Sequence, residues 1–277
     1  MKPAPFDYVR AASVEDATRA LLAATGTAMV LGGGQSLMPL LALRVSPADV
    51  LVDIGRIEAL RATAQIPGGQ RIGASITHAE IEDGKVTDHT GGLMRKVAAG
   101  IAYRAVRNHG TIGGSVALAD PAADWPVCLL ALGASVRIAG PNGERVEPID
   151  QFLRGAYTTS LEPGEIITAF DVPTPPTGAR IGYTKVVRKS GAFAMSIGCV
   201  VRAPGGGSAT VTLGGTTTRA ALMLETSQAL AASTAPSEHE LRVAIAADLA
   251  EAAPDADAYQ LRLHTATLLR AVKETLS

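Results

Sequence analysis

The residues with the clearest chemical potential are Leu31-Gly32-Gly33-Gly34-Gln35-Ser36, set between a short apolar run and Leu37-Met38-Pro39-Leu40-Leu41. Consecutive glycines let backbone N–H groups approach an anion without a Cβ in the way. The Ser36 hydroxyl adds a donor, so the segment suits a pyrophosphate. It departs from the usual dinucleotide fingerprint: Gly32 and Gly34 fit, the third position is Leu37, and no Gly-Lys-Ser/Thr follows. A tight strand-to-helix turn accounts for the same glycines equally well. A second cluster, Arg107-Asn108-His109-Gly110-Thr111-Ile112-Gly113-Gly114-Ser115, leads into Ala117-Leu118-Ala119-Asp120-Pro121-Ala122-Ala123-Asp124. It reads as another surface of exposed amides, with Asp124 as an acceptor for a ribose hydroxyl or an adenine amino group. Asp120-Pro121 also suits a chain turn, and Asp124 an N-cap for a helix whose first residues are Trp125 and Pro126. Two donor segments and one acceptor together suit a dinucleotide.

The elements that must carry these segments alternate along the first half. Ser13 with Asp16 three residues on opens a predicted helix to Ala24, and Thr27–Leu31 and Val50–Ile54 read as short buried strands. Arg71–Ile76 is a further strand, Thr77 to Glu80 repeats the capping spacing, and Met94–Tyr103 and Trp125–Leu132 read as helices. Gly133 closes the second of these ahead of the strand Ser135–Ala139. Glu165–Val172 is a strand stopped at Pro173, and Thr174-Pro175-Pro176-Thr177-Gly178 continues no regular element, which marks a domain boundary. Beyond it Tyr183–Arg188, Met195–Arg202 and Ala209–Leu213 read as three strands, Ser237–Ala253 as a helix capped by Ser237 with Glu240 three along, and Asp257–Leu276 as a helix with Leu261, His264, Leu268 and Val272 on one face.

Composition removes several classes of function. Lys+Arg 25 against Asp+Glu 26 leaves no basic footprint for nucleic acid or an anionic membrane. No apolar run approaches the roughly 20 residues of a spanning helix. The first residues carry no secretory or transit pattern, which predicts a cytoplasmic protein. Cys128 and Cys199 are too few for a cysteine-built metal site, and His78, His109 and His264 share no ligand spacing. No G-x-S-x-G is present, so Ser36 reads as a phosphate donor and not a nucleophile. Arg188-Lys189 reads as a solvated turn.

The paired segments, with Thr77-His78-Ala79-Glu80, Arg104–Asn108, Leu161-Glu162-Pro163-Gly164-Glu165-Ile166-Ile167, and Lys185 with Arg188-Lys189-Ser190-Gly191, closely resemble the FAD-binding (medium) subunit of molybdenum hydroxylases. That family includes the carbon monoxide dehydrogenase flavoprotein and the flavin domain of xanthine dehydrogenases. The resemblance implies a mixed α/β (α+β) chain. A PCMH-type FAD-binding domain would occupy residues 1–176, in lobes of about 1–56 and 57–176, followed at 177–277 by a smaller domain of three antiparallel strands and helices. It implies non-covalent FAD, with Leu31, Gly32, Gly33, Gly34, Gln35 and Ser36 on the pyrophosphate and Thr111, Gly113, Gly114 and Ser115 completing the phosphate and flavin side. Asp124 would take the ribose or adenine end, and Ile101, Ile167 and Lys185 would line the site. Phe193 falls where relatives carry Tyr, in a segment that here reads Gly191-Ala192-Phe193; it would either cover a flavin face or sit as a core residue at a strand end. No catalytic acid or base is implied. Electrons would come from [2Fe-2S] clusters on a small partner subunit, the substrate being hydroxylated at a molybdopterin site on a large one. The acceptor stays open among NAD, quinone, oxygen and carrier proteins. The alternatives are a nucleotide-binding or scaffolding subunit without redox turnover and a free-standing flavin oxidase.

Overall fold

The structure, a computed structural model, describes residues 2–276. Three sheets of three or more strands follow one another along the chain, with one two-stranded pair besides. The first joins β1 (Asp7–Arg10), β2 (Ala28–Leu31) and β3 (Val50–Asp53) in parallel, in the order β1-β3-β2, with α1 (Val14–Ala23) and α2 (Leu37–Ala42) as the connections. Ser13 caps α1 by accepting from the Asp16 amide at 3.2 Å, as its spacing predicts. Because β2 ends at Leu31 and α2 begins at Leu37, the first glycine segment is the whole of a strand-to-helix turn.

The second unit opens with a 3₁₀ turn at Glu58–Arg61, then β4 (Thr63–Ile66) and β5 (Gly69–Gly73). The helices α3 (His78–Glu82), α4 (Leu93–Ala99), α5 (Arg104–Arg107), α6 (Ile112–Leu118) and α7 (Asp124–Ala131) come next. It closes with β6 (Ser135–Gly140), β7 (Gly143–Pro148), α8 (Ile149–Phe152), the small pair β8 (Leu153–Gly155) and β9 (Thr158–Thr159), and β10 (Ile166–Pro173). Its antiparallel sheet runs β4-β5-β10-β6-β7. Thr77 and Glu80 make the reciprocal capping box that their spacing predicts.

The third unit is an antiparallel sheet of β11 (Arg180–Val187), β12 (Ala194–Arg202), β13 (Ala209–Gly214) and β14 (Ala221–Leu222), backed by α9 (Leu224–Ala232), α10 (Glu238–Ala252) and α11 (Ala258–Lys273). It therefore has four strands where three are expected; β14 is two residues long and carries no periodic signal. All eight residues of α7 are buried, and Thr212 on β13 donates to its Val127 carbonyl at 3.1 Å. A helix apolar on every side belongs between layers, and α7 fills the space between the second and third units. Cys128 and Cys199 are buried and free within that core.

Four further expectations are corrected. The helix expected over Met94–Tyr103 ends at Ala99, because Ala102 turns the chain into the left-handed region at φ 42° before α5 begins. Asp124 is the first helical residue of α7, and Ala123 takes the N-cap. Thr111–Ser115, expected as a surface of exposed amides, opens a helix over Ile112–Leu118 capped by the Thr111 side chain. Phe193 is not a core residue, since its side chain stands 63% exposed just ahead of β12.

Candidate functional site

The two glycine segments meet. A Cβ on Gly33 would strike the backbone carbonyl of His109, and one on Gly32 would lie 3.3 Å from the Thr111 hydroxyl. Only glycine lets the first segment lie this close to the second. Among the described residues, the amides of Gly32, Gly33, Gly34, Gln35 and Ser36 donate to no protein acceptor, and the Gln35 side chain folds back onto the Gly33 carbonyl at 2.9 Å. The turn is only partly buried, with Gln35 exposed. Consecutive unpaired amides of this kind form a cradle for an anion.

The second segment is built differently. The Ile112 amide donates to Ile76 at 3.0 Å, Gly113 to Ala74 at 2.8 Å, Gly114 to the Thr111 hydroxyl at 3.0 Å, and Ser115 to the Thr111 carbonyl at 3.1 Å. The expected surface of exposed amides is therefore already spent. Gly113 is small for packing: a Cβ there would meet Ala74 at 2.6 Å. Behind the segment, the His78 amide donates to the Gly110 carbonyl at 2.9 Å, while its imidazole Nδ1 accepts from Trp125 Nε1 at 3.0 Å. Burial, aided by the Arg107 charge, pushes the His78 pKa down to about 4, so this ring is a neutral support. What the second segment still offers is the half-buried Ser115 hydroxyl, which has no protein partner among the described residues.

A second cluster gathers Asp124, Lys185 and Ile101. Lys185 Nζ lies 2.8 Å from both Asp124 carboxylate oxygens and donates to the Gly100 carbonyl at 3.1 Å, next to Ile101. The Tyr183 hydroxyl also donates to Asp124. Tyr183 and Lys185 are two apart on β11 and so point to the same side. Burial raises the Asp124 carboxyl above its usual range, against the pull of the Lys185 ammonium and the Tyr183 hydroxyl. Burial and the Asp124 charge push the Tyr183 phenol well up. The carboxylate thus ties the second unit to the third. Ile101 packs half-buried against the main core, whereas Ile167 lies inside it, opposite Ile138 of β6. Sequence reasoning missed Tyr183; the i, i+2 pairing with Lys185 on a strand is the signal that marks it. It also missed Arg107, which donates to the carbonyls of Ile101 and Ala102 at 2.9 and 3.1 Å.

Free amides in one segment and a buried lysine–aspartate pair in another cluster are both compatible with nucleotide binding, and sequence comparison decides which family the chain falls in. The profile described as the FAD binding domain in molybdopterin dehydrogenase matches residues 4–175. The chain belongs to that family. Membership places it among the oxidoreductases. It is 40% identical over 195 residues to the 6-hydroxypseudooxynicotine dehydrogenase complex subunit alpha of Paenarthrobacter nicotinovorans, an alignment covering 70% of this chain and 66% of that one. It is 35% identical to the carbon monoxide dehydrogenase medium chain of Afipia carboxidovorans over 75% of this chain and 72% of that one. The fold matches a chain of the reconstituted CO dehydrogenase from Oligotropha carboxidovorans with a TM-score of 0.93 at 32% identity, covering 100% of this chain and 99% of the other. Among the described residues no helix is long and apolar enough to cross a membrane.

Proposed function

We propose that this chain is the FAD-binding electron-transfer subunit of a heteromeric molybdenum hydroxylase. In this reading it takes electrons from iron-sulfur clusters on a small partner subunit and passes them to an external acceptor, while a large subunit holds the molybdenum cofactor. The observation that carries it is the set of five unpaired amides at Gly32–Ser36 in a member of this family. Bound there, FAD would supply the redox chemistry, and the protein would supply position and electrostatics.

The residues then divide the work. Gly32 to Ser36 would bind the pyrophosphate through backbone dipoles, which suits a chain with a formal charge of only -1. Thr111 and Ser115 would add hydroxyls, and Gly113 and Gly114 would let the segment approach. Asp124 would act by holding the Lys185 ammonium against the site, with both its oxygens already engaged. Ile101 and Ile167 would complete the apolar lining. We assign residues 1–176 to the FAD-binding domain and 177–277 to the smaller domain, in a cytoplasmic complex. The test is anaerobic titration of the purified chain, reconstituted with FAD, with a reductant. Flavin bands that bleach and return on adding an acceptor support redox function. A chain that takes up FAD but never exchanges electrons once joined to its partner subunits is a scaffold.

A further inference from the structure

The turn at residues 100–103 holds on to the third unit at more than one point. Lys185 Nζ bonds the Gly100 carbonyl, and the Tyr103 hydroxyl donates to the Ser190 carbonyl at 2.9 Å. Gly191 then sits flat on the Tyr103 ring: a Cβ there would lie 2.5 Å from the ring's Cζ, and the residue has φ +76°, a conformation that excludes most side chains. The turn itself is braced from behind. Ala102 is held in the left-handed region, Arg107 bonds the two carbonyls of Ile101 and Ala102, and Glu82 fixes Arg107 through a pair of bonds at 2.8 and 2.9 Å. Tyr103 is nevertheless 57% exposed, so apolar burial does not explain its place. Its directional contacts all go to one object, the hairpin turn of residues 188–193 between β11 and β12, which carries the exposed Phe193.

We propose that Tyr103 is a positioning residue, a latch that pins the 188–193 turn to the braced 100–103 turn and so fixes that hairpin as one wall of the cofactor cleft. The inference rests on the FAD reading, because Ile101 and Lys185, the cleft positions, flank the latch on its two strands of chain. With the hydroxyl bond made, the hairpin is held across the junction of the two units. With it broken, the hydrogen bond left to Ser190–Phe193 among the described residues is its own turn bond, Ala192 amide to Lys189 carbonyl, beside the ring contact at Gly191.

The test uses the full chain and trypsin, which cuts after Arg188 and Lys189, both exposed in this turn. Tyr103→Phe keeps the ring and removes one hydrogen bond, worth about a fivefold change in an opening equilibrium. Cleavage at Arg188 and Lys189 in the cofactor-free chain should rise by about that factor, with cleavage at Arg242 unchanged, and bound FAD should dissociate faster by a similar factor. Gly191→Ala, which keeps the hydroxyl but drives the ring end that bears it away from the turn, should do the same. Hairpin cleavage at the wild-type rate in both variants overturns the latch. Faster cleavage with unchanged FAD dissociation overturns the hairpin's role as a cleft wall. A wild-type chain that binds no FAD removes the cofactor reading and the cleft wall with it, while the cleavage rates still decide the latch.

Discussion

Gly32-Gly33-Gly34, which packs on His109, Gly110 and Thr111, and Gly113-Gly114, which follow those residues in the chain, use the same residue for opposite ends. In the first segment, glycine allows a close approach to His109 and leaves a row of amides unpaired. In the second, the amides are consumed by Ile76, Ala74 and Thr111, and glycine serves to bring a helix start against β5 and its following turn. Glycine content therefore says little about anion binding until each amide is followed to its acceptor. One segment is the candidate binding surface and the other is its support.

That division predicts effects of different kind and size. Gly33→Val should have the largest: a side chain driven into the His109 carbonyl must displace the turn, and FAD affinity should fall at least about a thousandfold, about 4 kcal/mol, with the fold retained. Cofactor content against thermal melting checks this, and a fully loaded Gly33→Val protein would break the comparison.

Next comes the support behind the second segment. His78 is neutral in the fold with a pKa of about 4 against 6.5 for a free imidazole. The unfolded chain binds the proton first, so this contribution to stability is complete above pH 6.5 and is lost as the pH falls toward 4, by about 3 kcal/mol at the low end. Urea unfolding at pH 7 and pH 4.5 should show a smaller acid loss for His78→Asn than for the wild type. Identical losses would remove His78 from the account.

Gly113→Ala should cost about 1–3 kcal/mol by overpacking Ala74, seen as a lower melting temperature. Its FAD affinity, measured well below that temperature, should move less than that of Gly33→Val. The smallest effect is expected at Ser115, where Ser115→Ala should weaken FAD about fivefold through one lost hydrogen bond and leave melting unchanged.

Much of this was legible before the structure. Ser13, Thr77 and Ser237 announced their helices because N-cap patterns are local, and the β2-to-α2 turn followed from a short apolar run ending in glycine. The stop at Ala99 was not legible, since Ala102 is an ordinary residue at φ 42°, and the Arg107 bond to its carbonyl is not a pattern that residue types announce. The helix at Ile112–Leu118 was hidden because two glycines lower helix propensity, and tertiary hydrogen bonds to Ala74 and Ile76 override that preference. Asp124 was singled out from sequence as an acceptor for FAD, and the structure shows it bonded to Tyr183 and Lys185, which lie 59 and 61 residues on in the third unit, so no local pattern links them to Asp124. Phe193 was misjudged as a possible core residue because apolar type alone does not fix exposure at a strand's first edge.

The most direct test of the central claim is the set of backbone amide resonances of the cofactor-free chain as FAD is added. The account predicts large shifts and slowed hydrogen exchange at Gly32, Gly33, Gly34, Gln35 and Ser36, with the amides of Ile112 and Gly113 already protected and staying so. Shifts confined to residues 112–114, with the first segment unmoved, would contradict it.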